Sequence, residues 1–219
     1  MLLSRPDILK AIATRQIVIE PFDPARLGPN SYDLCIANEL LTYEEVVLNT
    51  RRPPKYRRMS IPNEGFTLLP NKLYLAGTVE YTETHGLVPF LDGRSSTGRL
   101  GLSVHVTAGR GDVGFCGHWT LELHVVEPLT IYPGTPLCQI YYMQVSDPAG
   151  PTYQGKYQNS RGVVPSRLFP DPRPVASASS PFCAKSTVAS EPTEAPPVSA
   201  STTCCSADTP DSSASAPCR

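Results

Sequence analysis

From Ile17 onward the apolar positions recur every second residue, not every third or fourth. The runs "IVIE", "SYDLCI", "EEVVLN", "GFTLLP", "LYLAGTVEY", "LGLSVHV", "WTLELHVV", "LTIYPG" and "LCQIYYM" are short, and they alternate or are continuously apolar, as half-buried and fully buried strands are. Turn-forming stretches separate them: "DPARLGPNS", "RRPP", "LLPNK", "DGRSS", "GRGDVG" and "PGTP". Only the start reads as helix. In "LSRPDILKAI", Ser4 and Asp7 have capping-box spacing, and Ile8, Ala11 and Ile12 share a helical face. Many short strands with Gly and Pro turns and one short N-terminal helix predict a mainly β fold, a sandwich or a barrel.

The pattern stops near Phe169. Beyond it the chain is rich in Pro, Ser, Ala and Thr, with too few large apolar residues to offset the entropy of ordering it. The expected organisation is one domain over residues 1–170 and a disordered tail over 171–219 that supplies no site residue. Cys183, Cys204, Cys205 and Cys218 fall in that tail without the Cys-x-x-Cys spacing of a zinc site.

Composition narrows the partners. A net charge of −1 with 18% charged residues gives no global basic field for nucleic acid. The one dense basic run, "RRPPKYRRMS", is broken by Pro-Pro and has no nucleic-acid-binding pattern around it, so a solvated loop, facing another subunit at most, is expected. No run of about 18 apolar residues suggests a membrane span. "MLLSRPDILKAI" turns charged too early for a secretory signal, so a cytoplasmic protein is expected. Cys35, Cys116 and Cys138, scattered singly through strand-like runs, read as buried reduced thiols.

The candidate chemistry is concentrated between Leu91 and Glu122. "LDGRSSTGRLGLSVHVTA" groups Arg94, Ser95, Ser96 and Arg99 around Gly93 and Gly98, a set of forked guanidinium donors, hydroxyls and open backbone suited to an anion. An ordinary polar turn whose arginines meet neighbouring carboxylates is the alternative. No Gly-Lys-Ser/Thr follows, so this is not a P-loop. In "LGLSVHV", alternation puts Leu102, Val104 and Val106 on one face and Ser103, His105 and Thr107 on the other; His105 is read as a half-buried histidine without a catalytic role. In "HWTLELHVV", Trp119, Leu121, Leu123 and Val125 face one way, and His118, Thr120, Glu122, His124 and Val126 the other. Glu122 is thus a carboxylate in mid-strand. It either pairs with an arginine or faces a polar cavity, where it could serve as a general base. Neither a zinc deaminase pattern nor a Gly-x-Ser-x-Gly elbow is present. The constellation is carboxylate, arginine and hydroxyl, with no metal ligands and no protein-bound zinc expected.

"DGRSSTGRLGLSVHVTAGRGDVGFCGHWTLEL", together with "LSRPDILKAI", "IEPFDPARLGPNSYDL", "PGTPLCQIYY" and "GKYQNSRGVVPSR", resembles the dCTP deaminase family, which shares the fold of the trimeric dUTPases. The resemblance covers nearly all of residues 1–170. It implies a distorted β-barrel, or β-clip, assembled as a homotrimer with active sites between subunits. It also implies dCTP as substrate, with Mg²⁺ carried by the triphosphate.

By the same resemblance Glu122 would accept and return the proton of a water attacking C4 of cytosine, while Ser95 and Arg99 position that water and the base. Arg94, Ser95, Ser96, Thr97, Gly98 and Arg99 would contact the nucleotide. Arg110 matches a residue of single-activity members, Asp112 a sugar and base position, and Thr120, Leu121 and Glu122 the pyrimidine pocket. Gln139, Tyr153, Lys156 and Gln158 would close over the triphosphate. Ser160 stands where a glutamine is common.

The implied activity is deamination of dCTP to dUTP and ammonia, supplying dUTP for dUMP and thymidylate synthesis. The alternative is a bifunctional enzyme that continues to dUMP and pyrophosphate. Members of that kind tend to carry Gly-Phe after "TA", where this chain has Gly109 and Arg110. A nucleotide-binding regulator would be the non-enzymatic reading, but it would be expected to lack Glu122. Adhesion through Arg110-Gly111-Asp112 is the weakest, because that tripeptide falls inside the site motif.

Overall fold

Ser4 begins the first helix, α1 (Arg5–Ala13), with its hydroxyl donating to the Asp7 carboxylate at 2.5 Å and its backbone N–H to the same oxygen at 3.3 Å. The buried side chains of α1, Ile8 and Ala11, belong to the face expected from their spacing. The computed structural model describes residues 1–105 and 107–169, so Val106 and the expected tail lie outside the described residues.

Ten strands follow among the described residues: β1 (Ile17–Glu20), β2 (Tyr32–Tyr43), β3 (Tyr56–Ser60), β4 (Phe66–Leu68), β5 (Tyr74–Thr84), β6 (Leu87–Gly93), β7 (Leu102–Ser103), β8 (Cys116–Val125), β9 (Leu129–Ile131) and β10 (Pro136–Gln144). A one-turn helix, α2 (Ser95–Gly98), lies between β6 and β7. The main sheet runs β6-β10-β2-β5-β8-β7, with β1 on β5 and β3 on β2, while β4 and β9 pair separately. The chain just beyond β7 returns to β6. The Leu91 N–H donates to the Gly109 carbonyl at 2.6 Å, the Gly111 N–H to the Pro89 carbonyl at 2.9 Å, and Phe90 bridges Arg110. This seam nearly closes the sheet into a distorted barrel around one core that includes Ile36, Leu40, Leu91, Leu121, Leu123 and Ile140.

Four expectations about strands change. "EEVVLN" is not a strand: β2 ends at Tyr43, its pairing with β3 stops there, and Val46 and Val47 project into solvent at 103% and 75% exposure. "LGLSVHV" keeps only Leu102 and Ser103 as strand, because the chain leaves β8 to reach the seam with β6. The basic run, expected as a solvated loop, becomes strand β3 from Tyr56 onward. Its charges are answered within the same hairpin: Arg57 meets Glu44 at 2.9 Å, Arg58 meets Glu39 at 2.8 Å, and Arg52 pairs with Glu45. Strand β6 was not expected, since Pro89 interrupts its pattern; Pro89 is tolerated beside the irregular seam, where a missing N–H leaves no regular ladder position unfilled. No described helix is long and apolar enough to cross a membrane.

Candidate active site

Strand β8 sets the site by pure alternation. Trp119, Leu121, Leu123 and Val125 are buried, and His118, Thr120 and Glu122 lie on the opposite face. Opposite them β5 carries a bulge between Gly77 and Tyr81. There the Trp119 N–H donates to the Thr78 hydroxyl at 3.0 Å in place of a ladder carbonyl. A bulge increases local twist and re-aims the facing side chains.

These side chains line a cavity of about 620 Å³. Glu122, Thr120 and His118 form one wall, and Arg110, Gly111, Asp112 and Phe115 a second. Tyr43 and Leu75 contribute from the sheet, Leu48 and Arg52 from the β2–β3 hairpin, and Tyr153, Tyr157 and Ser160 from the segment after β10. That segment is tied down at Thr120, whose hydroxyl accepts from the Val164 N–H at 3.1 Å, and at Tyr43, whose hydroxyl accepts from the Ser166 N–H at 3.0 Å.

Gly111 is fixed by packing. A Cβ there would come within 2.5 Å of the Trp119 ring and 2.8 Å of Pro89, so only glycine lets Arg110 and Asp112 approach the wall. Trp119 is itself held by a 2.8 Å bond from its Nε1–H to the Thr82 hydroxyl and by Phe115, whose ring centroid is 4.5 Å away. Burial lowers the His118 pKa and raises that of Tyr43, which favours the neutral form of both. The chemistry on offer is therefore two carboxylates, Glu122 and Asp112, with the Arg110 guanidinium and a second, Arg52, that is paired with Glu45, in a pocket walled by aromatic rings.

A family model described as DCD, dCTP deaminase-like, matches residues 2–145. The chain belongs to the dCTP deaminase family. A relative from Clostridium acetobutylicum, named "dCTP deaminase, dUMP-forming", is 52% identical over 171 residues, 78% of this chain and 98% of the relative. A relative from Rhodopirellula baltica, named "dCTP deaminase", is 53% identical over 168 residues, 77% of this chain and 84% of the relative. Among solved structures, the 2'-deoxycytidine 5'-triphosphate deaminase from Agrobacterium tumefaciens is similar with a TM-score of 0.52 at 18% identity, over 64% of this chain and 47% of that one. At that identity the likeness speaks for the fold.

Of the residues that the dCTP deaminase resemblance singles out, the structure brings Arg110, Asp112, Thr120, Glu122 and Tyr153 to one cavity. Leu121 points the other way and is fully buried in the core, so its side chain cannot line the pocket. The segment Arg94–Arg99 does not line this cavity among the described residues. Arg94 instead meets Asp33 at 3.1 Å and donates to the Pro136 carbonyl at 3.1 Å. The buried Thr97 hydroxyl lies 2.8 Å from the Arg94 carbonyl and 3.1 Å from that of Leu137, while Ser95, Ser96, Gly98 and Arg99 are exposed on and beside α2. Gln139 accepts from the Ser31 hydroxyl at 3.2 Å on β10. The Gln158 side chain latches its segment to the turn before β8, accepting from the Cys116 N–H at 3.0 Å and donating to the Gly114 carbonyl at 2.7 Å. Lys156 is half-buried, and its carbonyl accepts from Arg167.

Sequence reasoning missed His105. It lines the cavity with its Nδ1 3.6 Å from Glu122 Oε2. Its alternation with Val104 put it on the polar face, and that was the available signal. What the linear pattern lacked was the bond from the Glu122 N–H to the Val104 carbonyl, at 2.8 Å, which sets the two side chains abreast.

Proposed function

We propose that this chain converts dCTP to dUMP, ammonia and pyrophosphate in a single cavity, by hydrolytic deamination followed by hydrolysis of the dUTP formed. The observation that carries this reading is the position of Glu122 and Asp112 on the walls of one cavity, so that two carboxylates are available for two different waters. The names of relatives about half identical over 98% of their length support the dUMP-forming reaction over release of dUTP. That reverses the preference drawn from Gly109-Arg110. A single position outweighs less than likeness along the whole domain.

In the first step Glu122 removes a proton from water as its oxygen adds to C4, then returns it to the amino group, so that the C4–N bond breaks and ammonia departs. In the second, Asp112 takes a proton from a water attacking the α-phosphorus, and the bond to the bridging oxygen breaks to release pyrophosphate. Mg²⁺ enters with the triphosphate as part of the substrate and keeps much of its water.

The exposed hydroxyls of Ser95 and Ser96 and the guanidinium of Arg99 stand away from their own chain's cavity. In a homotrimer they reach the cavity of a neighbour, where Ser95 and Arg99 position the water and the base. We place the activity in the cytoplasm, in keeping with Cys35, Cys116 and Cys138 as unpaired thiols.

The test is incubation with dCTP and Mg²⁺, with ammonia and pyrophosphate measured separately. Equal amounts of both are expected. Ammonia alone would return the reading to the dUTP-releasing enzyme, which the name of the Rhodopirellula relative favours. Neither product would overturn both.

A further inference from the structure

Outside the reaction cavity, three metal-ligating side chains converge at one end of the β5–β8 pair. Glu83 and Cys116 stand directly opposite each other in the ladder, and His85 follows in the turn towards β6. His85 Nε2 lies 3.0 Å from Glu83 Oε2, and one donor atom from each of the three residues lies within 4.8 Å of the others. A tetrahedral site with bonds of about 2.0–2.3 Å needs donor separations of roughly 3.4–3.6 Å, so small side-chain rotations bring the set to bonding distance.

The backbone that carries these donors is tied from several sides. The Thr84 N–H donates to the Phe115 carbonyl at 3.1 Å, the Gly114 N–H to the Thr84 carbonyl at 2.8 Å and the His85 N–H to the Gln16 carbonyl at 2.8 Å. Cys116 is held through the Gln158 side chain and through its carbonyl, which accepts from the Asn159 N–H at 2.8 Å. The other oxygen of Glu83 accepts from the Tyr81 hydroxyl at 2.9 Å, the kind of outer partner that orients a ligating carboxylate. His85, about half exposed, leaves the cluster open to solvent.

We propose that Glu83, His85 and Cys116 form a Zn²⁺ site, with water as fourth ligand, that braces the start of β8 beside the Asp112–Phe115 turn. A thiolate, an imidazole and a carboxylate together suit a borderline transition ion; Mg²⁺ and Ca²⁺ prefer all-oxygen surroundings. On binding, the Cys116 thiol gives its proton to solvent as the Sγ–metal bond forms. The linear sequence shows no zinc motif because the third donor arrives on a separate strand, so a site here departs from the expectation of no protein-bound zinc.

The experiment uses the full chain with Cys183, Cys204, Cys205 and Cys218 changed to serine and stripped of metal. Titration with Co²⁺ should produce a thiolate-to-cobalt charge-transfer band that saturates at a single ion per chain, raises Tm and is lost on adding Zn²⁺. Cys116→Ser should abolish the band, and His85→Asn and Glu83→Gln should each weaken Co²⁺ binding by about tenfold or more. Mg²⁺ should leave the band unchanged. Absence of the band, its survival in Cys116→Ser, or affinities unchanged in both His85→Asn and Glu83→Gln would overturn the proposal. Those two surface variants decide the matter alone if Cys116→Ser does not fold.

Discussion

The Nδ1 atom of His105 lies 3.6 Å from Oε2 of Glu122, the histidine side chain 7% exposed and the glutamate 33%. Both buried imidazole nitrogens lack a hydrogen-bond partner within the described protein. An imidazole with both nitrogens unsatisfied beside a carboxylate is poised to steer that carboxylate or a water beside it. His105→Asn is expected to lower kcat for ammonia release by about tenfold or more with KM changed by less than about threefold, because positioning acts on the reacting geometry and not on substrate affinity. Steady-state kinetics with thermal denaturation checks this. A change confined to Tm would make His105 a packing residue only.

Glu122 and Asp112 are assigned to different bonds, so their isosteric variants should fail differently. Glu122→Gln is expected to abolish ammonia release from dCTP by at least about a thousandfold while nucleotide binding persists. Asp112→Asn should raise KM and still release ammonia, with dUTP accumulating in place of dUMP. Product analysis distinguishes them. Loss of ammonia and pyrophosphate together in Asp112→Asn would confine Asp112 to substrate binding.

The proposed sharing of each site between two subunits makes a prediction about mixtures. Arg99→Ala and Glu122→Gln homotrimers should each be inactive, but mixed trimers reassembled from equal amounts should regain about a quarter of wild-type activity, since one site in four then pairs an intact Glu122 with a neighbour's intact Arg99. Ion exchange after reassembly and an ammonia assay read this out. No recovery in verified mixed trimers would put both residues in one chain's site.

How much was legible in the sequence followed from which forces are local. The period-two pattern located β1, β5, β8, β9 and β10, because one buried face imposes alternation whatever the partner strand. It also placed Thr120 and Glu122 on the polar side of β8. It misplaced "EEVVLN", because two valines suggest a strand only where a partner exists, and β3 stops pairing at Tyr56. It hid β6, because Pro89 breaks the local pattern while β10 on one side and the seam to Gly109 and Gly111 on the other supply its bonds from afar. The cavity itself joins β8, the 110–115 turn and the 153–169 segment, and no linear spacing encodes that meeting. Gly111, inside Arg-Gly-Asp, is a spacer set by its close approach to Trp119, a contact that no linear motif records.

Gly111→Ala tests that packing role. The added methyl must displace Trp119 or Pro89, a change expected to cost about 1–3 kcal/mol of stability and to move Arg110 and Asp112 off the cavity wall. Activity should fall by about a hundredfold, a loss of the order that misplacement by 1 Å produces. Denaturant unfolding and kinetics measure the two effects. Full activity with unchanged stability would mean that the turn relaxes freely.

The buried ion pair between Arg26 and Glu80 gives the clearest pH signature. Glu80 is fully buried; Oε1 lies 2.7 Å from Arg26 Nη1, and Oε2 accepts from the Cys35 N–H at 2.9 Å. Burial nevertheless holds the Glu80 pKa above its ordinary value, outweighing the Cys35 bond and the guanidinium. Between the unfolded and the raised folded pKa the native state binds more protons, so this group's contribution makes stability fall as pH rises through that window and level off above it. Glu80→Gln, which keeps an acceptor but cannot ionise, lacks that fall. The difference in unfolding free energy, variant minus wild type, should therefore shift in favour of the variant as pH rises through the window, whatever its starting sign. Glu80→Ala leaves Arg26 and the Cys35 N–H without their partner and should cost roughly 3 kcal/mol at neutral pH, the low end for a broken buried pair, because Arg26 keeps partial access to water. Urea unfolding at several pH values from about 4 to about 8 follows the difference. A shift against the Glu80→Gln variant as pH rises would mean that Arg26 wins over burial and that the folded pKa is depressed.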